Sequence, residues 1–144
     1  MSNNERSGAR PTIRVVAAAL YDRRGQVLIA ERPPGKHLAG RWEFPGGKIN
    51  AGETEGQALA RELHEELGIV VGKAHPLVSL AHDYDDRRIE IALWVVEDFS
   101  GEPKGLDGQL LKWLFPAQLH DEDMLAADVP FVRALQRLYN ERLS

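Results

Sequence analysis

Hydrophobic and polar positions change their spacing several times along the chain, and each change predicts a new element. An apolar, β-branched run from Ile13 to Leu20 predicts a strand, and the polar segment DRRGQ after it predicts a turn. The segment QVLIAE, residues 26–31, is expected to return as the partner of that strand in a hairpin. WEF, residues 42–44, predicts a further short strand that places Glu43 opposite its two aromatic neighbours.

A helix is predicted where the apolar spacing becomes helical, in the segment EGQALARELHEEL. Thr54 followed by Gln57 fits a capping box, in which the threonine hydroxyl accepts an early backbone N–H. Gly68 is the residue expected just past the last turn, because glycine adopts the left-handed conformation that ends many helices. The helix should therefore run from about Glu55 to Leu67.

The C-terminal half contains three strand-like segments and one helix-like segment. Strands are predicted from PLVSLAHDY, residues 76–84, from RIEIALWVVED, residues 88–98, and from LLKWLF, residues 110–115. A second amphipathic helix is predicted from Pro130 onward, since proline is tolerated in a first turn. The segments ERPPGKHLAGR, PGGKINAGET and GEPKGLDGQ are expected to be loops. Strand pairs with two well-separated helices indicate an α+β sandwich rather than a doubly wound sheet.

Composition limits this fold to one domain and removes some chemistry. A chain of 144 residues with 43% hydrophobic content can bury one full core but not two. Residues 1–10 are polar and predict a flexible leader, so the domain is expected to span residues 11–144. The chain contains no cysteine, which excludes disulfides, thiolate metal ligands and thiol nucleophiles. Oxygen and imidazole groups remain as possible metal ligands and catalytic groups.

Charge and hydropathy narrow the expected partners and location. The net charge is −4 without a basic tract, so stable nucleic-acid binding is not expected. The apolar run VVAAALY is too short to span a membrane, and no secretory signal pattern is present. The cytoplasm is therefore the expected location, and a polyanionic ligand would have to meet a metal ion or local positive charge.

Three acids lie close together on the first predicted helix. Glu62, Glu65 and Glu66 share one polar arc of that helix. Like charges at these spacings destabilise a helix by roughly 0.2–0.5 kcal/mol per pair. Such a cluster alone is more typical of a solvated face, but a bound cation would make the crowding favourable.

The acids are part of a longer pattern, G-x5-E-x7-R-E-U-x-E-E-x-G-U, where U is an aliphatic residue. Its fixed positions are Gly47, Glu53, Arg61, Glu62, Leu63, Glu65, Glu66, Gly68 and Ile69. Average residue usage gives a chance match roughly below one in a million. The pattern resembles the Nudix box without a departure, and LAGRWEFPGGKINAGET around it is similar to the MutT-type branch. The likeness extends from about Ile13 to Leu138 and implies the Nudix fold, an α/β/α sandwich with a mixed β-sheet, acting as a hydrolase of nucleoside diphosphates linked to another group.

A hydrolase of a phosphoanhydride must neutralise phosphate charge and position a water molecule. Mg²⁺ does both with a few carboxylates and retained waters, and Mn²⁺ is an alternative. Glu62, Glu65 and Glu66 are the expected side-chain ligands. The resemblance adds the backbone carbonyl of Gly46 and the loop acid Asp107, for which a solvated loop aspartate is the alternative interpretation.

The remaining catalytic roles come from the resemblance. Arg61 is expected to bind Glu53 and so hold the loop to the helix, a contact that a guanidinium can make bidentately. Glu62 is assigned as the general base that activates water. Gly47 and Lys48, in the loop PGGK, are expected at the substrate because glycine lets backbone and ligand approach closely.

Four further residues are expected to bind the nucleotide. Arg32 and His37 match substrate-side residues of similar MutT-type proteins, although His37 alone could be a loop histidine. Phe44 is a candidate to stack on a base, although an aromatic residue in such a strand is more often part of the core. Asp128 stands where enzymes that clear oxidised guanine nucleotides have asparagine, and an aspartate is similar to relatives that act on cytidine triphosphates. The alternative is that Asp128 caps the helix near Pro130.

These expectations combine into an enzyme. The sequence predicts Mg²⁺-dependent hydrolysis of a nucleoside triphosphate to monophosphate and pyrophosphate, with 8-oxo-dGTP the first candidate and cytidine triphosphates the second. Hydrolysis of ADP-ribose or dinucleoside polyphosphates uses the same box, and a non-enzymatic nucleotide-binding regulator is a more distant alternative. Both a monomer and a homodimer are compatible with the sequence.

Overall fold

The computed structural model describes residues 10–143. Of the predicted leader, residues 1–10, only Arg10 is described, and its guanidinium pairs with Asp83 at 3.1 Å. The rest of the leader lies outside the described residues. The strands and helices are β1 (Thr12–Leu20), β2 (Val27–Glu31), β3 (Trp42–Glu43), β4 (Gly46–Lys48), α1 (Glu55–Leu67), β5 (Val70–Val71), β6 (Ala74–Asp83), β7 (Arg88–Val96), β8 (Phe99–Ser100), β9 (Leu111–Leu114) and α2 (Val129–Leu143).

The central sheet has the order β4-β1-β7-β6 and mixes both strand directions. β1 and β7 are parallel along their whole length, from Thr12 opposite Arg88 to Leu20 opposite Val96. β4 and β6 join this pair in antiparallel directions. A second sheet, β9-β2-β3, and the short pair β5-β8 complete the strands. The mixed sheet and the two helices confirm the predicted α+β class.

The predicted hairpin between the first two strands is wrong. β2 forms, but it pairs with β9 and β3. The chain just after β1 meets the start of β2 at a bridge between Tyr21 and Val27 and at a hydrogen bond from the Asp22 N–H to the Gln26 carbonyl at 3.0 Å. The turn itself is ordered, because the Asp22 carboxylate accepts the backbone N–H groups of Arg24 and Gln26. The reason for the error is that both edges of β1 are already occupied by β4 and β7.

The segment PGGKINAGET is not wholly a loop, because it begins with strand β4. Gly46 pairs with Ala17, and Lys48 pairs with Val15. A methyl group added to Gly46 would lie 2.0 Å from the Val16 carbonyl oxygen, so the strand can approach β1 only with glycine here. Two glycines hide the side-chain alternation that identifies a strand, which is why the sequence indicated a loop.

Helix α1 begins and ends as predicted. Thr54 Oγ1 accepts the Gln57 backbone N–H at 3.1 Å, and the Gln57 side chain accepts the Thr54 N–H at 3.0 Å. Gly68 follows the helix with φ of 73° and donates its N–H to the His64 carbonyl. These local contacts fix the position of α1 along the sequence.

Two apolar layers cover opposite faces of the central sheet. Val16, Ala18 and Leu20 of β1 pack with the buried leucines of α1. Ala17 and Ala19 face the other way and pack with the cluster that includes Phe131 and Leu135 of α2. This alternation makes β1 the middle of an α/β/α sandwich.

Some short elements were not anticipated from the sequence. They are the pair β5-β8 and the 3-10 helices Pro116–Gln118, Asp121–Asp123 and Ala126–Asp128. Within residues 10–143, no helix combines the length and apolar character that crossing a membrane requires.

Candidate active site

A cleft of about 540 Å³ lies between the end of α1, strand β4 and the loop that joins β2 to β3. Its volume is in the range of sites for small molecules and cofactors. The predicted site residues that line it are Arg32, His37, Phe44, Gly46, Gly47, Lys48, Glu66, Asp107 and Asp128. A second cavity of about 350 Å³, beside the edge strand β6, contains none of the predicted site residues.

Arg61 ties α1 to the segment before it. Its Nε and Nη2 donate to the two carboxylate oxygens of Glu53 at 2.7 and 2.9 Å, and Nη2 also donates to the Lys48 carbonyl at 2.9 Å. The hydrogen bonds from Arg61 lower the pKa of Glu53, with help from the Asn50 N–H. The predicted Arg61–Glu53 pairing is therefore present and is bidentate.

The remaining donor of Arg61 holds two acids of the box. Nη1 donates to Glu62 at 3.0 Å and to Glu65 at 3.2 Å, so one cation offsets the repulsion between two carboxylates. Glu62 has only 14% of its side chain exposed, whereas Glu65 has 58% exposed. Burial raises the pKa of Glu62, and Arg61 counteracts that rise.

Gly47 leaves room for the carboxylate of Glu62. A methyl group on Gly47 would lie 1.5 Å from Glu62 Oε2, which is far inside van der Waals contact. Glu62 Oε1 is bound to Arg61, so the second oxygen is the one beside β4. Glycine at this position therefore decides where the predicted general base can sit.

Glu66 is the acid of the box that borders the cleft. Its pKa is raised to about 8, first by burial and then by the nearby charges of Glu62, Glu43 and Asp107. A hydrogen bond from the Gly46 backbone works in the opposite direction. A positive charge beside Glu66 would remove this penalty, because an opposite charge favours the ionised form.

The loop with Asp107 is fastened to the end of α1. The Leu106 N–H and the Gln109 amide both donate to the Glu66 carbonyl, at 3.1 and 3.3 Å. The Gln109 side chain also accepts the Asp107 N–H at 2.8 Å. These contacts keep the Asp107 carboxylate near enough to influence Glu66, although Asp107 itself is exposed.

Whether this site fits a divalent metal ion depends on how many protein ligands the ion needs. Among residues 10–143, no set of three or more acids or histidines is arranged as a metal cage. Mg²⁺ commonly takes one or two carboxylates and keeps several waters, so a complete cage is not required. Glu62 and Glu66 are adjacent, supply only oxygen donors, and bear the unfavourable charge that a cation would offset. Both residues therefore fit such an ion, and the ligand roles of all five candidates stay predictions: Glu62, Glu65, Glu66, Asp107 and Gly46.

The other end of the cleft is built around Arg32. Its Nη1 forms an ion pair with Glu43 at 3.1 Å, and its Nε donates to the His37 carbonyl at 2.6 Å. Arg32 thus holds the loop of residues 32–41 against β3. Direct contacts of Arg32 and His37 with a substrate stay predictions, since these bonds engage the Arg32 side chain and only the His37 backbone.

Asp128 is buried, with 6% of its surface exposed, and lies under this end of the cleft. Its Oδ2 accepts the Phe44 backbone N–H at 3.1 Å. Burial raises the pKa of Asp128 to about 7, the charge of Glu43 adds to the rise, and the Phe44 N–H and Arg32 limit it. The Phe44 ring is 3% exposed and belongs to the core, which favours the core-aromatic interpretation for most of its surface.

The loop of residues 32–41 ends in two overlapping turns. The Ala39 N–H donates to the Lys36 carbonyl, and the Arg41 N–H donates to the Leu38 carbonyl, each at 3.2 Å. Gly40 occupies the third position of the second turn with φ of 89°, as glycine does easily. Leu38 occupies the same position of the first turn with φ of 60°, which costs a residue with a side chain about 1–2 kcal/mol.

Comparison with known proteins identifies the family to which a chain with this site belongs. The model of the NUDIX domain family matches residues 11–135, which includes the whole acidic site and Asp128. The chain belongs to the Nudix hydrolase family. Members of this family generally need a divalent metal ion.

Relatives of this Nudix hydrolase identify its branch. It is 35% identical to an 8-oxo-dGTP diphosphatase of Escherichia coli over 88% of this chain and 98% of the relative. It is 37% identical to a CTP pyrophosphohydrolase of the same organism, over 85% of this chain and 91% of the relative. The solution structure of the E. coli ORF135 protein superposes with a TM-score of 0.82, covering 92% and 94% of the two chains at 36% identity. The MutT-type resemblance is thereby confirmed.

Several cleft residues of this Nudix hydrolase were missed from the sequence. Glu43 lies in a short strand, where alternation indicated only that it faces away from two aromatics. Arg87 lines the cleft from the turn after β6, and its guanidinium lies 5.2 Å from the centre of the Tyr84 ring. Tyr84 and Arg87 lie in the turn of the hairpin between β6 and β7, and both line the cleft.

Proposed function

We propose that this Nudix hydrolase cleaves nucleoside triphosphates to the monophosphate and pyrophosphate, using Mg²⁺, with 8-oxo-dGTP as first candidate substrate. Removal of oxidised nucleotides from the pool, and so protection of DNA, is the corresponding biological role. The observation that carries this proposal is that one cleft contains both Glu66, at an acidic end suited to a metal–phosphate complex, and buried Asp128, at an end suited to a base. Both named E. coli relatives act on nucleoside triphosphates.

The catalytic step needs an activated water and a stable leaving group. Bound Mg²⁺ would supply charge neutralisation on the phosphates and the orientation of water. Glu62 accepts the proton of the attacking water on Oε2, since Arg61 occupies Oε1. The water oxygen bonds to phosphorus, the bond to the pyrophosphate oxygen breaks, and pyrophosphate leaves. Arg61 positions the base by holding Glu53, Glu62 and the Lys48 carbonyl together.

We propose that Asp128 recognises the base of the nucleotide. With a pKa of about 7, it can be protonated or ionised near neutral pH. The protonated carboxyl can donate and accept like an amide, which suits an oxidised guanine, whereas the ionised form only accepts and suits an exocyclic amino group. Cytidine triphosphates are therefore the second candidate substrates, in agreement with the activity named for one relative.

The decisive experiment is turnover of the purified protein against a panel of nucleotides with and without Mg²⁺. Canonical and oxidised triphosphates, ADP-ribose and a dinucleoside polyphosphate would be compared by measuring pyrophosphate and the nucleotide products. We expect release of pyrophosphate from a triphosphate, and loss of turnover when a chelator removes the metal. Orthophosphate without pyrophosphate, or activity only on ADP-ribose, would contradict the proposal. Tight binding without turnover would indicate a regulator.

A cytoplasmic location, the absence of stable nucleic-acid binding and the choice between monomer and homodimer stay predictions.

Replacing Asp128 with asparagine should change the dependence of stability on pH. The folded-state pKa of Asp128 is about 7, above the unfolded value of about 3.9, so its contribution to stability is lost as the pH rises through this interval. Asparagine cannot ionise and can still accept the Phe44 N–H. We expect Asp128→Asn to be more stable than the wild type at pH 8, with a smaller difference at pH 5.

Thermal unfolding across this pH range would measure the effect. The matched control is Asp98→Asn, an exposed aspartate outside the cleft, which should leave the pH profile unchanged. Equal shifts for both variants would contradict the assignment. If Asp128→Asn leaves the substrate preference in the nucleotide panel unaltered, Asp128 takes no part in recognising the base.

A further inference from the structure

The loop of residues 32–41 carries an apolar side chain at the cleft that the fold does not explain. Leu38 lines the cleft and leaves 44% of its surface exposed, so burial in the folded protein compensates little for its backbone conformation. Among residues 10–143, Leu38 is the single non-glycine residue with a positive φ. Glycine would occupy this turn position without strain, as Gly40 does in the following turn.

The position of Leu38 is set by Arg32. The Arg32 N–H donates to the Arg41 carbonyl at 2.9 Å, and the Gly40 N–H donates to the Arg32 carbonyl at 3.0 Å, which closes the base of the loop. The Arg32 guanidinium then binds the carbonyl of His37, the residue next to Leu38. The strained turn is therefore held by bonds on both sides rather than left free to relax.

These contacts locate Leu38 at the base end of the cleft. Arg32, which binds the neighbouring carbonyl, also lies close enough to Asp128 to lower its pKa. Glu66 and Asp107 belong to the acidic end, where phosphate and metal are proposed to bind. An uncharged side chain contributes nothing to binding phosphate, but it can cover the apolar face of a base or ribose.

We infer that Leu38 is a substrate-contacting residue, which packs against the nucleoside part of the nucleotide when the cleft is filled. This inference rests on the proposed function and adds a specificity residue to it. The exposed side chain becomes buried by the ligand, and the loop holds it in place beforehand, so no ordering of the loop is needed at binding.

The test uses two substitutions that remove the apolar surface of Leu38 and are compatible with its positive φ. Leu38→Gly removes the strain, and Leu38→Asn keeps a side chain that tolerates this φ without the apolar surface. We expect KM for the preferred triphosphate to rise about five- to tenfold, from lost apolar burial, with kcat changed less than about twofold. The melting temperature should stay the same or rise. Leu80→Ala, an exposed leucine on β6 that lies outside this cleft, is the matched control.

Product inhibition separates the nucleoside part from the phosphates. The inhibition constant of the nucleoside monophosphate should rise by the same factor as KM, while that of pyrophosphate stays constant. An unchanged KM, an equal rise for pyrophosphate, or a lower melting temperature with a parallel fall in kcat would each overturn the inference. If the wild type hydrolyses no triphosphate, the proposed function fails, and equilibrium binding of nucleoside monophosphates still tests Leu38 separately.

Discussion

Glu66→Gln is expected to lower turnover by about 10²–10⁴-fold while the fold is retained, because a carboxylate ligand of a catalytic metal contributes several kcal/mol to transition-state stabilisation. The amide has nearly the same shape and can keep the contact with the Gly46 backbone. Steady-state kinetics at saturating Mg²⁺ and circular dichroism would measure the two parts of this prediction. Near-normal turnover would count decisively against Glu66 as a metal ligand.

The stability of the metal-free protein gives an independent measurement on the same variant. The pKa of Glu66 is about 8 in the fold, above the unfolded value of about 4.3, so stability is lost as the pH rises between these values. Glutamine cannot ionise, and the metal-free Glu66→Gln protein should be more stable than the wild type at pH 8. Mg²⁺ should then stabilise the wild type and have little effect on the variant. Glu102→Gln, an exposed glutamate outside the cleft, should behave as the wild type in both experiments.

Gly47→Ala should also lower turnover by about 10²–10⁴-fold, because it displaces the group assigned as general base. The added methyl group would lie 1.5 Å from Glu62 Oε2, and the end of a flexible side chain can move away more easily than backbone can. We therefore expect a small change in melting temperature together with a large fall in kcat. The same variant should have a similar KM if the cleft itself is preserved.

Gly56→Ala is the matched control for this substitution. Gly56 lies in the first turn of α1, where a methyl group would make ordinary contact with the Trp94 ring at 3.4 Å. Alanine is the better helix former, so stability should rise by about 0.4–1 kcal/mol with turnover unaffected. If both variants kept full activity, the close approach of β4 and Glu62 would have no catalytic meaning.

Features with local signals were predicted well from the sequence. The limits of α1 follow from Thr54, Gln57 and Gly68, which contact residues three or four positions away. The spacing of the box likewise fixed the side of the helix on which its acids lie. Because all these contacts are short in sequence, a linear pattern contains nearly all the information needed to place them.

Features that depend on distant partners were predicted poorly. The hairpin of β1 with β2 was the natural local expectation, but β1 pairs with β7, whose residues lie far along the chain. Asp128 and Phe44, 84 positions apart, form a buried hydrogen bond that no spacing rule indicates. The raised pKa of Asp128 and the role of Arg32 as a holder of its loop follow only once the folded chain brings these residues together.

The central place of β1 has a consequence for how the enzyme is made. Its parallel partner ends at Val96, so a nascent chain that has only emerged as far as Ile69 already contains every residue of the box and still lacks the strand that completes the sheet. Pairing across such a separation requires a large loop to close first, which slows folding. The active site can therefore form only after β7 has been synthesised, although every residue of the box precedes that strand.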